Sequence, residues 1–137
     1  MKKYRQTLGS WGEDLAADFL EGLGFQIIER NVRTTHGEID LIAWRPAAGE
    51  IDTGDLINSN PLTLFAEVKT RTSVAFGYPE EAITANKRAH LLAAAQEYIQ
   101  SHPELSGEWR IDVIAILRHP DGSSAQIQVF ENAVTAE

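Results

Sequence analysis

With 137 residues, 43 % of them apolar, the chain is the size of one domain and can close a core without staples. It has no cysteine, which excludes disulfides, a thiol nucleophile and a cysteine-ligated zinc site. A formal net charge of −8 argues against a protein that coats nucleic acid, whose surface is basic, but leaves room for an enzyme whose acidity is gathered around a metal.

The N-terminus, Met1-Lys2-Lys3-Tyr4-Arg5, leads into no long apolar run, so neither a signal peptide nor a membrane span is expected and the cytoplasm is the expected location. The first predicted element is a helix. Ser10 followed by Glu13 has the spacing of a capping box. Leu15, Ala16, Phe19, Leu20 and Leu23 recur at amphipathic spacing, and Gly24 supplies a C-terminal glycine. Phe25–Val32 reads as the first strand. Thr34-Thr35-His36-Gly37 is a turn signal that brings the next strand back as an antiparallel partner. His36 has no second histidine at ligand spacing and reads as a turn residue.

The returning strand, Gly37-Glu38-Ile39-Asp40-Leu41-Ile42-Ala43-Trp44, carries charge among apolar residues. Side chains two apart on a strand share a face. Glu38 and Asp40 therefore fall on one face, with Ile39 and Leu41 on the other, toward a core. Residues 45–62 read as a long acidic loop inside the single domain of residues 1–137, expected to point away from any phosphate-binding surface. Leu62–Lys69 is the third strand, where Glu67 and Lys69 share one face and Ala66 and Val68 the other.

Thr84 is placed to cap a second long helix, about Ala85 to Ser101, with Pro103 beyond it and Ala89, Leu92, Ala93, Gln96 and Ile99 as its packed face. Lys87 and Arg88 stand in its first turn, where cations oppose the helix dipole and a phosphate would resolve the conflict. Trp109–Leu117 is a near-continuous apolar strand interrupted by Asp112, for which Arg110 is the expected structural partner. His119-Pro120-Asp121-Gly122 is a turn, and Ala125–Phe130 alternates as an edge strand. The order is α-β-β-β-α-β-β. It describes an α/β fold with a mixed sheet of about five strands flanked by helices, in which the second helix crosses over to a strand parallel to the third.

If the second and third strands are neighbours, Glu38, Asp40, Glu67 and Lys69 meet in a small volume. Carboxylates at close range disfavour joint ionisation, and burial adds to the cost. A hard divalent cation relieves both, because Mg²⁺ takes one or two carboxylates together with waters and phosphate oxygens. The alternative is a set of surface charges on an exposed strand face.

Asp40 followed by Glu67-x-Lys69 resembles the signature of the PD-(D/E)xK nuclease superfamily, which has the restriction-endonuclease-like core. A longer set of segments is similar to one branch of it: Gly9 to Leu20 (G-x-x-x-E-D-x-A-A-x-F-L), Arg30 to Arg33, Gly37 to Ala43, Glu67 to Arg71 and Arg110 to Ile116. These resemble the YraN-like proteins, small bacterial relatives of archaeal Holliday-junction resolvases that are described mainly as predicted endonucleases.

The resemblance implies a metal-dependent endonuclease acting on DNA, with branched DNA among its substrates. Asp40 and Glu67 would hold Mg²⁺ or Mn²⁺ with the Val68 carbonyl, and Lys69 would assist the attacking water. Glu13 has two readings, a cap for Ser10 or an outer ligand to metal or water. Glu38 is either a further site carboxylate or the partner of an arginine. Arg30, Arg33, Arg71, Lys87 and Arg88 are the candidate nucleic-acid contacts. Branched DNA has two-fold symmetry, which points to a homodimer. The competing expectation is a nuclease-fold module without turnover that binds nucleic acid or a protein partner.

Overall fold

A computed structural model of the protein describes residues 7–46, 61–72, 83–105, 107–122 and 124–135. Helix α1 (Leu8–Gly22) is followed by strands β1 (Gln26–Thr34), β2 (Gly37–Arg45) and β3 (Leu62–Arg71), helix α2 (Ala85–Ser101), and strands β4 (Glu108–Arg118) and β5 (Ala125–Val134). The predicted order of elements holds. The five strands form one mixed sheet in the order β1-β2-β3-β4-β5. β3 and β4 run parallel on either side of the α2 crossover, and all other neighbours are antiparallel. Most of the predicted acidic loop, residues 47–60, lies outside the described residues, as do residues 73–82.

A helix covers each face of the sheet, which is why the interior strands β3 and β4 are apolar almost throughout. Successive β3 side chains serve opposite cores. Leu64 and Ala66 pack with Ala16, Ala17 and Leu20 of α1, while Phe65 packs with Leu91, Ala94, Ala95 and Tyr98 of α2. The paired alanines on each helix let its backbone approach the sheet closely. Tyr98 and Trp109 both meet Phe65 edge-on at 5.8 Å between ring centroids, the arrangement that aromatic quadrupoles favour. A buried phenylalanine is worth about 3–5 kcal/mol against alanine.

Four local expectations are corrected. The cap of α1 is Thr7, whose Oγ1 accepts the Ser10 N–H at 3.1 Å. The helix thus begins a turn early, Ser10 lies inside it, and Glu13 is freed from any capping role. Leu23 is 53 % exposed, because the helix has already ended there, and after Gly24, at φ +90°, it is Phe25 that enters the core. The α2 bounds and the Thr84 cap are as predicted, but its buried face is Leu91, Ala94, Ala95 and Tyr98, with Ala89 and Gln96 exposed. Alanines line much of this helix, so the ring of Tyr98, seated on Phe65 with its hydroxyl donating to Glu29, decides the rotation. Finally, β5 continues past Phe130 to Val134 through an irregularity in its pairing with β4, where Asn132 takes φ +51°.

Candidate functional site

The site forms where β2 parts from β3. Their pairing runs from Arg45 opposite Leu62 to Leu41 opposite Ala66 and then stops. An unbroken ladder would continue with Glu67 against Asp40 and then Val68 against Ile39. Instead the Val68 N–H donates to Asp40 Oδ2 at 2.8 Å, so a side-chain oxygen stands where a backbone acceptor would be. The backbone alternation breaks at Asp40. Leu41 packs in the α1 core and Ile39 in the α2 core, so these two do not share a face as the period-two reading expects. Across the hairpin, between the pairs Arg30–Leu41 and Val32–Ile39, Asn31 adopts φ +51°, a left-handed conformation that asparagine tolerates better than most residues. In a strand, the N–H and C=O of one residue leave on the same side. The Val68 carbonyl is therefore aimed into the gap that holds the Asp40 carboxylate.

One residue earlier on β3, Glu67 points to the α2 face and is only 4 % exposed. Its Oε1 receives Lys69 Nζ at 3.3 Å and Lys87 Nζ at 3.6 Å. Its Oε2 is buried with no hydrogen-bond partner among the described residues. Burial, then the charge of Glu67, push the Asp40 carboxyl up to about 7, with the Val68 N–H pulling the other way. The cluster thus contains one acceptor oxygen that no described residue satisfies and one carboxylate that resists ionisation.

Glu13 of α1 approaches from the other helix, and its charge reaches Asp40. Burial raises its own pKa, the Asn31 amide opposes this, and Glu38 adds to the rise. With its amide nitrogen turned toward them, Asn31 donates to Glu38 Oε1 at 3.1 Å and Glu13 Oε1 at 3.2 Å. Gly12 allows this approach. It is buried against β3, and a Cβ there would overlap Thr70 Oγ1 and stand 3.0 Å from Thr70 Cβ. The glycine therefore lets α1 lie against the strand immediately beside Lys69.

Of the five basic residues proposed to meet nucleic acid, Lys87 is the one whose charge reaches the carboxylates in a described ion pair. Arg30 Nη1 lies 2.6 Å from Asp14 Oδ1. Arg33 lines a cavity of about 250 Å³ with Tyr98 and His102, at the C-terminal end of α2. Arg71 donates to the Thr70 carbonyl at 3.1 Å. Arg88 lines a cavity with Ile83, Phe130 and Val134. The conflict of Lys87 with the α2 dipole is met by Glu67, where the sequence reading looked to a phosphate. Asp112 has the predicted partner: Arg110 Nε is 3.0 Å from its Oδ1, and the Asn132 N–H donates to it at 2.8 Å.

Two features of the site were missed in the sequence. The pairing of Lys87 with Glu67 spans the α2 crossover and has no local signal. Asn31 had one, an asparagine next to a charged strand position, since asparagine is among the few residues at home at positive φ.

Among the described residues no three His, Cys, Asp or Glu side chains form a ready-made metal cage. Two carboxylates and an aimed carbonyl suit instead a hard cation that keeps several of its waters. No helix among the described residues is long and apolar enough to cross a membrane.

The model of the uncharacterised protein family UPF0102 matches residues 12–116, a span that holds Glu13, Asp40, Glu67, Lys69 and Lys87. The chain belongs to UPF0102. It is 37 % identical over 133 residues to the UPF0102 protein of Syntrophotalea carbinolica, covering 97 % of this chain and 95 % of that one. Identity to the UPF0102 protein of Syntrophomonas wolfei is 43 % over 119 residues, covering 87 % and 90 %. A Clostridium perfringens UPF0102 protein is 35 % identical over 133 residues, covering 97 % and 98 %. The YraN-like resemblance carried by the motifs is to this same family.

Proposed function

We propose that this UPF0102 protein is a divalent-metal-dependent endonuclease of the PD-(D/E)xK type that hydrolyses DNA phosphodiester bonds, with branched DNA as a candidate substrate. The observation that carries the reading is the meeting of Asp40, Glu67 and Lys69 at the break between β2 and β3, with Glu67 Oε2 buried and without a partner among the described residues. A buried carboxylate oxygen without a donor costs about 1–3 kcal/mol or more, and a cation removes that cost. Asp40 and Glu67, joined by the Val68 carbonyl, would hold Mg²⁺ or Mn²⁺.

When bound, the ion supplies charge stabilisation at a phosphoryl oxygen and a more acidic water. The protein's own residues do the rest. Val68 N–H fixes the Asp40 carboxylate by one oxygen and leaves the other for the ion. Lys69, on the same face as Glu67, is placed to orient a water and to face charge developing on a phosphate. Glu13, tied to Glu38 through Asn31 and near enough for its charge to act on Asp40, would serve as an outer carboxylate for water.

Two observations favour a second reading, a nuclease-fold module that binds nucleic acid or protein without turnover. The net charge is −8, and Arg30 is held by Asp14. The test separates the two. Purified protein is incubated with linear, flapped, single-stranded and four-way DNA with Mg²⁺ or Mn²⁺, and its size is measured with and without the junction. Cleavage that needs the ion and falls at least about a hundredfold in Lys69→Ala is the expected result. Binding without cleavage of any substrate selects the module.

A further inference from the structure

Two ammonium groups share one carboxylate oxygen at this site, and they are held there differently. Lys69 grows from β3 two residues beyond Glu67, on the same face, so its reach is fixed by the strand. Lys87 comes from the first turn of α2, and its side chain is 38 % exposed. The like charges repel each other, and the positive N-terminal end of α2 disfavours a cation in that turn. Lys87 is therefore the weaker holder of Glu67 and the one free to swing. Its backbone is nonetheless fixed: Thr84 Oγ1 accepts the Lys87 N–H at 3.1 Å, and Leu91, Ala94 and Ala95 seat the helix on the sheet.

We infer that Lys87 is a metal-gated phosphate ligand: it guards Glu67 in the metal-free protein, yields that carboxylate to a divalent cation, and then turns its ammonium to a non-bridging phosphate oxygen of the bound strand. This rests on the metal site proposed above and adds a coupling to it. With metal absent, Lys87 is engaged by Glu67 and contributes nothing to DNA affinity. With metal present, Lys87 is displaced by charge repulsion, and a polyanion is the partner that satisfies it. The ligand class is a phosphodiester anion. The coupling also gives so acidic a chain a way to bind DNA only when it is loaded for chemistry.

The experiment compares wild type, Lys87→Gln and Lys87→Arg as full chains. DNA affinity is measured by fluorescence anisotropy on a labelled four-way junction across a salt series, with EDTA or with Ca²⁺ in place of Mn²⁺. Mn²⁺ affinity without DNA is measured by calorimetry. In Ca²⁺ the Lys87→Gln salt slope should fall by about one unit, the mark of one lost phosphate contact, and in EDTA the slopes should coincide. Lys87→Arg should restore the slope. Lys87→Gln should bind Mn²⁺ about threefold more tightly or better, since a competing charge has gone. Equal slopes in Ca²⁺ would overturn the inference by removing Lys87 from the DNA. A one-unit difference in EDTA as well would overturn the gating, and so would wild type that binds no DNA in Ca²⁺. If no DNA is cleaved but the Ca²⁺-dependent slope difference is found, the hydrolase reading falls and the role of Lys87 stands. If DNA is cleaved and the slopes are equal, the reverse holds.

Discussion

Replacing Asp40 by asparagine should stabilise the metal-free protein, and only at neutral to alkaline pH. The Asp40 carboxyl titrates near 7 in the fold, against about 3.9 for an unfolded aspartate. Because the folded value is the higher one, the group's contribution to stability is complete below about pH 3.9 and is lost as pH rises through about 7. Once ionised, Asp40 costs the fold up to ~4 kcal/mol by the difference of these values. Asparagine removes that charge and keeps an oxygen for the Val68 N–H. Burying its amide costs roughly 1–2 kcal/mol, so the net gain at pH 8 is about 2 kcal/mol. For a chain of this size that raises the melting temperature by about 8 °C.

At pH 5 wild-type Asp40 carries its proton, and the two proteins should melt within about 2–3 °C of each other. Asp40→Ala serves as the control. It also removes the charge but strands the Val68 N–H, so it should lie below Asp40→Asn by about 1–3 kcal/mol at both pH values. Thermal melts followed by circular dichroism in EDTA, at pH 5 and pH 8, decide the matter. Asp40→Asn no more stable than wild type at pH 8, or more stable by the same margin at both pH values, would refute the claim that this carboxylate is held against its preference.

Glu67→Gln should abolish Mn²⁺ binding in calorimetry while the far-ultraviolet spectrum is retained; binding equal to wild type would remove Glu67 from the ligand set. Mn²⁺ affinity should rise about tenfold from pH 6 to pH 8 and then level, because Asp40 must lose its proton to solvent before it can bind the ion; a flat profile would mean that Asp40 is not a ligand. Gly12→Ala should cost about 1–3 kcal/mol by forcing α1 off β3. Adding Thr70→Ala should recover part of that loss in a double-mutant melt, and strictly additive effects would place the strain elsewhere.

The strands were legible because their physics is local. β3 and β4 announce themselves as near-continuous apolar runs, interrupted at Glu67, Lys69 and Asp112, and the turn at Thr35-His36 separates two strand-like segments. The Thr84 cap and the end of α2 near Pro103 were equally local. What could not be read was set by the tertiary structure. The rotation of α2 is decided by one tyrosine ring on Phe65 in an alanine-rich helix whose own pattern is weak. The split of Ile39 and Leu41 between two cores depends on β2 leaving β3, and nothing in the spacing of GEIDLIA marks where that happens. Asp40, Glu67 and Lys69 were nameable from residue type and order. The approach of Lys87 to the same carboxylate required the crossover to be folded.

The two aspartates of the sheet interior make the strongest contrast in the molecule. Each stands at a break in a strand ladder and accepts a backbone N–H there, Asp40 from Val68 and Asp112 from Asn132, both at 2.8 Å. Each break has an asparagine at φ +51°, Asn31 across from Asp40 and Asn132 itself at the other. As backbone devices they are the same. Burial raises the pKa of both. The difference lies in the next neighbour. Asp112 has Arg110 on its own strand, Nε at 3.0 Å from Oδ1 and Nη2 at 3.1 Å from Oδ2, so the protein neutralises that charge itself. Asp40 has Glu67 beside it, and the nearby ammoniums of Lys69 and Lys87 lie on the Glu67 oxygen. Breaking a buried pair by removing one partner costs about 3–5 kcal/mol, a cost that the Arg110–Asp112 pair avoids and that Asp40 sits close to incurring. One buried carboxylate compensated fully while its counterpart faces a second carboxylate is the asymmetry on which the proposed cation site rests.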